Sequence, residues 1–152
     1  MKTLSLAIAL LGFAALPALA EQNDITRLES NADVTATADR LAAGIEAAGA
    51  KLMARIDHGA GAKTVGRDIG ASQLLIFGNP KVGTPVMEQN RLAGLILPLH
   101  VLVYEDDQGK TWIAYESIEE RLDDLDGIKA GDDSVQPLKG ALAKLTNAAA
   151  GN

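Results

Sequence analysis

Two groups of residues in this chain have types and spacings that could do chemistry. The first is the run Gly78, Asn79, Pro80, Lys81, Gly83, Thr84 and Met87, a Gly-Asn-Pro turn placed directly after an apolar segment. Asn79 suits the N-cap of a helix, because its side-chain oxygen can accept from a backbone N–H. Pro80 suits the first helical position, where its missing N–H costs nothing. Helix N-termini present unpaired N–H groups, and these attract anions. Lys81 would add charge and Thr84 a hydroxyl, so the functional reading is a pocket for a carboxylate or another small anion. The plain structural reading is that Asn79 and Thr84 only cap and Gly83 lets the helix approach a sheet. The run matches neither the P-loop pattern nor the dinucleotide fingerprint, and the cofactor is left unknown.

The second group is the two histidines, His58 and His100. His100 lies in an alternating segment that turns back through Asp107-Gln108-Gly109. A three-residue turn with Gly109 left-handed pairs Asp106 with Lys110, and counting back sets His100 opposite Glu116. A two-residue turn would set Ser117 there instead. A histidine beside a carboxylate is the arrangement of a metal ligand or a general base. Met53 and Met87 could join a copper site, since thioether sulfur suits Cu(I). Against this, the histidines lack the H-x-x-x-H spacing of a zinc site. The acidic stretch Asp123-Asp124-Leu125-Asp126-Gly127 fails as an EF-hand, because setting Gly127 at the sixth loop position puts Leu122 at the first. The serines at 30, 72, 117 and 134 sit in no G-x-S-x-G context, and there is no cysteine, so no acyl-transfer nucleophile is recognisable.

The elements that must position these groups read as follows. Ile25 to Ser30 is a short strand. Asp33 or Thr35 caps a helix over about Thr37 to Ala48, with Ala38, Leu41, Ala42, Ile45 and Ala48 in one stripe and Gly49 as its stop. Lys51 to His58 alternates, with Leu52, Ala54, Ile56 and His58 on one face. Gly59 to Gly70 is a glycine-rich loop with one helical turn near Ala62 to Val65. Gln73 to Phe77 is a continuous apolar run that suits a central strand covered on both faces. Thr84-Pro85 repeats the cap-and-proline grammar, which starts a helix over Pro85 to Asn90. Leu99 to Asp106 and Lys110 to Ser117 form a hairpin. Glu119 to Leu125 is a short acidic helix, and a last helix from about Pro137 carries Leu138, Ala141, Leu142 and Leu145 in one stripe. The order predicts a single α+β domain: a mostly antiparallel sheet of about five strands, two main helices packed on it and a C-terminal helix.

From about Thr37 to Ile128 the chain resembles the domain of unknown function numbered 302, a small bacterial and archaeal family. The resemblance is carried by ARIDHGAGAKTVG (Ala54 to Gly66), LLIFGNPKVGTPVM (Leu74 to Met87) and LPLHVLVYEDDQGKTWIAY (Leu97 to Tyr115). It implies a compact α+β fold and brings no catalytic residues with it.

Of 152 residues, 47% are apolar and 22% charged, which describes a globular chain. The net charge of −6 argues against nucleic acid. Met1 to Ala20 reads as a secretory signal peptide: Lys2, an apolar run from Leu4 to Leu16, Pro17, then small residues at Ala18 and Ala20. The run is short for a bilayer span, which needs about 20 apolar residues. The expected product, Glu21 to Asn152, is periplasmic or secreted, without a stable membrane anchor. The sequence favours a non-catalytic domain that binds a small molecule or a protein partner. The alternative is an enzyme or copper-type protein built on His58, His100 and a nearby carboxylate. A homodimer formed through the sheet is a third expectation. N-terminal sequencing of the exported protein should begin Glu-Gln-Asn-Asp; a product that retains Met1 would overturn the export reading.

Overall fold

The computed structural model describes residues 24–151, so the leader and its cleavage site lie outside the described residues. Eleven elements follow in order: β1 (Ile25–Glu29), α1 (Val34–Ala47), β2 (Lys51–Asp57), α2 (His58–Thr64), β3 (Ser72–Gly78), α3 (Pro80–Gln89), a 3-10 helix (Arg91–Leu95), β4 (Leu99–Glu105), β5 (Thr111–Glu116), α4 (Ile118–Asp123) and α5 (Gln136–Ala150). The strands form one five-stranded sheet in the order β1-β5-β4-β3-β2. Every neighbouring pair is antiparallel. This is the α+β domain that the sequence predicts.

Residues directly opposite on neighbouring strands share a face, so the register sorts the side chains. One face carries Leu75, Phe77, Leu99, Val101, Val103 and Ile113, all buried. Helices α1 and α5 cover this face with Val34, Ala38, Leu41, Ile45, Leu138, Leu142 and Leu145. Full burial of each large apolar side chain contributes about 1.5–3 kcal/mol. Helix α1 begins where Asp33 accepts from Ala36 N–H at 2.8 Å. A Cβ on Gly44 would stand 3.4 Å from Leu145 Cδ2, at ordinary contact, so α1 and α5 lie close here without requiring the glycine.

The other face is open. On β2, β3 and β4 one outer row runs Ala54, Ile76 and His100, and at the same end β5 and β1 carry Glu116 and Ile25; the middle row runs Ile56, Leu74, Leu102, Ala114 and Arg27; the second outer row runs Ser72, Tyr104, Trp112 and Glu29. Ile25 is 51% exposed and Ile56 40%. The run QLLIF is therefore covered on one side only, with Leu74 and Ile76 half-buried on the open side. A continuous apolar run does not distinguish a strand covered twice from one whose second face is apolar and bare.

Three further expectations are corrected. The alternation in β2 is interrupted between Leu52 and Ala54. Leu52 pairs with Phe77 on the helix side, whereas Ala54 and Ile56 pair with Ile76 and Leu74 on the open side. Met53 is the extra residue of this bulge. His58 does not end a strand; it opens α2, where Asp57 caps Ala60 N–H at 2.7 Å. Helix α3 starts at Pro80 and runs through Thr84-Pro85 instead of restarting there. Pro85 has no N–H to donate to Lys81 O, and Lys81 is exposed.

The hairpin matches the three-residue turn. Gly109 has φ +76°, Asp106 N–H donates to Lys110 O at 2.9 Å, and Tyr104 pairs with Trp112. Asp106 holds the turn together by accepting from the Lys110 and Gln108 N–H groups and, at 2.7 Å, from Trp112 Nε1. The Lys110 N–H, followed by the indole, keeps this carboxyl below its ordinary value despite some desolvation.

Helices α4 and α5 are tied by Lys139 Nζ on Glu119 Oε1 at 2.5 Å. Burial raises the Glu119 pKa, but the bond from Lys139, the backbone N–H and the lysine charge outweigh it, and the carboxyl titrates below its ordinary 4.5. A carboxyl lowered on folding adds stability above its unfolded pKa and loses it as the pH falls through its folded value. Glu119→Gln should therefore lower the melting temperature at pH 7, and its gap from the wild type should shrink as the pH falls below about 4. A gap that stays constant over this range would exclude the pair as the cause.

Candidate functional site

The Gly78 to Met87 run does frame a cavity. Gly78 closes β3, and Asn79 caps α3 by accepting from Lys81 N–H at 3.0 Å. Its amide nitrogen donates back to Gly49 O at 3.1 Å, which anchors the start of α3 to the end of α1. Helix α3 then packs against the 3-10 helix and touches α5. A cleft of about 310 Å³ remains between them, walled by Phe77, Val82, Met87, Leu97, Leu138 and Leu145. Met53 reaches it from the β2 bulge, Pro98 from the start of β4, and Ala48 and Ala50 from the end of α1.

The lining is overwhelmingly apolar, which bears on the anion reading. Pro80 has no N–H, Lys81 N–H is held by Asn79 Oδ1, and the Val82 and Gly83 N–H groups both donate to Asn79 O at 2.9 Å. The helix start therefore has no free donor for an anion. Lys81 is exposed and does not line the cleft, while Thr84 stands exposed at its rim. A Cβ on Gly83 would lie 3.6 Å from Leu97 Cδ1 and 3.9 Å from Met87 Cε, ordinary contact distances. The missing side chain at Gly83 is thus not a packing requirement, and it adds room to the cleft.

The histidines are not brought together. His100 sits opposite Ile76, level with Ala54 of β2. His58 lies past the end of β2, at the start of α2, and β3 stands between β2 and the β4 strand of His100. The β4–β5 pairing ends at Leu102–Ala114 and does not extend to His100 and Glu116, which the three-residue turn alone would set opposite each other. The two share a shallow depression of about 360 Å³ with Arg121 and Ile25. Glu116 faces Arg121 Nε at 3.8 Å. Among the described residues, no group of three or more His, Cys, Asp or Glu could hold a metal ion. Met53 and Met87 share the apolar cleft, which neither histidine lines.

Sequence reasoning missed the far wall of the cleft. Leu138, Ala141 and Leu145 lie on the stripe of α5. The available signal was Ala141, a small residue in a stripe of leucines, which leaves space where a larger one would fill it.

The scan against family models settles the identity of the fold: "Domain of unknown function DUF302" matches residues 26–148. The chain belongs to the DUF302 family. A crystal structure of an uncharacterized conserved DUF302 protein from Bacillus stearothermophilus superposes with a TM-score of 0.74, covering 84% of this chain and 98% of that one at 19% identity. At that identity the likeness speaks for the fold alone. Proteins named fluoride-specific ion channel FluC 1 in Brucella suis biovar 1 and Brucella abortus biovar 1 are 42% identical over 89 residues, or 59% of this chain. The chain spans about a third of their length, 35% and 33% respectively. The channel name belongs to those whole proteins. Among the described residues of this DUF302 chain, no helix is long and apolar enough to cross a membrane.

Asn79→Ala should cost about 1 kcal/mol of stability through loss of the cap. Because the same side chain ties α3 to Gly49, the mutation should also raise hydrogen exchange at Lys81 to Gly83. Unchanged exchange there would leave no role for Asn79 in placing α3.

Proposed function

We propose that this DUF302 domain is an exported, non-catalytic binding protein whose α3 cleft takes a small, uncharged, mostly apolar molecule. The carrying observation is the cleft itself: about 310 Å³ of apolar wall, open to solvent, at the start of the Gly-Asn-Pro helix. Cavities of this size and character are the usual form of small-molecule sites. With the α3 amides already bonded, the rim offers little polar recognition, so shape and apolar area would select the ligand. The flexible thioethers of Met53 and Met87 suit a site that adapts to its occupant. Gly78, Asn79, Pro80, Val82, Gly83, Thr84 and Met87 line it, whereas Lys81, His58, His100 and Glu116 lie outside. Export rests on the Met1 to Ala20 leader, and it places the cleft in the periplasm or outside the cell. The separation of the histidines and the charge of Arg121 beside Glu116 disfavour the alternative acid/base or copper site.

Neutral N-phenylnaphthylamine, which brightens on leaving water, should bind with a fluorescence rise that saturates at one probe per chain. Ala141→Phe should fill the cleft and weaken that binding at least ~10-fold, with an overpacking cost of about 1–3 kcal/mol at most. No saturable signal from the wild type, or equal binding by the folded variant, would overturn the proposal.

A further inference from the structure

We propose that the open face of the sheet is an interface for a second copy of this chain, related by a two-fold axis lying along the middle row of that face. Such an axis sets each strand over its own mate and lays each outer row over the other. Leu74 and Leu102, half-buried in the single chain, would meet their own copies. The contact would be isologous and closed, so it stops at a dimer.

The charges on this face favour that arrangement. Arg27 lies over the Trp112 ring at 4.5 Å from its centroid. The two-fold brings Glu116, from the opposite outer row, onto the Trp112 position of the partner. Glu116 of each copy then meets Arg27 of the other, and the pair forms twice. Arg27 makes no ion pair among the described residues of its own chain, and Glu116 has only the 3.8 Å contact with Arg121. The chain carries a net charge of −6, so two copies repel over most of their surfaces. Here both signs lie in positions that complement themselves.

The area is sufficient. Five strands spaced about 4.8 Å apart, each about six residues long, make a face of roughly 480 Å² in projection. Two such faces packed together would bury roughly 1,000 Å², the lower bound for a specific interface. Sheets packed this way keep their strands within about 30° of each other, as the twist of each sheet allows. This interface lies on the opposite side of the sheet from α1 and α5, and it does not depend on ligand in the cleft.

Light scattering coupled to size exclusion, on protein expressed from the full sequence at ~1–100 µM, should report a dimer in the affinity range of a minimal interface. Leu102→Asp should give a monomer with unchanged circular dichroism and unchanged probe binding in the cleft. Arg27→Glu and Glu116→Arg should each weaken the dimer at least ~10-fold. The combined variant should recover to within ~threefold of the wild type, as a double-mutant cycle on a direct pair requires. A wild type that is monomeric throughout, or a dimer that Leu102→Asp leaves intact, would overturn the interface. A combined variant no tighter than the single ones would overturn the two-fold arrangement.

Discussion

The structure depends on burying one face of a five-stranded antiparallel sheet beneath two helices. Leu75 and Phe77 of β3, Val101 and Val103 of β4, and Ile113 of β5 all point into the layer held by Leu41, Ile45, Leu142 and Leu145. Alternation along the strands makes that burial directional, since each inward residue sends its neighbours outward. In β3 the neighbours are Leu74 and Ile76, which are themselves apolar. Satisfying one face therefore leaves a second apolar face without helices to cover it.

The cleft follows from the same constraint. Strand β3 leaves the sheet at Gly78, and the Asn79 amide fixes the departure by bonding Gly49 O on one side and Lys81 N–H on the other. Helix α3 then touches α5, and the cleft lies between them. Small residues, Ala48 and Ala50 just after α1 and Ala141 of α5, face the gap and leave it unfilled. The glycines and prolines of the Gly78 to Met87 run thus act mainly on backbone geometry. Their chemistry is to make an apolar space, and the anion site suggested by a helix N-terminus is already occupied by the protein's own Asn79.

Much of this was legible in the sequence, because the signals were local. The Asn79 cap, the Gly109 turn and the stripes of α1 and α5 each rest on residues within a few positions of one another. The hairpin register followed from the length of one turn, as the Tyr104–Trp112 and Leu102–Ala114 pairs show. What was not legible depended on tertiary pairing. The Met53 bulge moves Leu52 to the helix side, and nothing in KLMARIDH marks it. Thr84-Pro85 has the grammar of a helix start, yet the start at Asn79 had already been made and the helix continues through the proline. The apparent kinship of His58 and His100 disappears because His58 opens α2 after β2, His100 lies on β4, and β3 stands between those strands. The far wall of the cleft comes from α5, some sixty residues beyond the motif that frames the near wall.

Strand β3 serves both candidate surfaces, and its alternation keeps them apart. Phe77 faces the cleft, while Leu74 and Ile76 face the open side. A ligand that shifts Phe77 would have to move the β3 backbone to be felt at Ile76, and that backbone is bonded on both edges, to β2 and to β4. A strand bonded on both edges moves only together with its neighbours, so a shift of the Phe77 side chain is resisted before it reaches Ile76. The β2 bulge is the weaker point. Met53 reaches the cleft from the one place in the sheet where the ladder is interrupted, and the next residue, Ala54, lies in an outer row of the open face. If binding in the cleft is coupled to the open face at all, the physical route with the least resistance passes from Met53 to Ala54, along a strand already bent there.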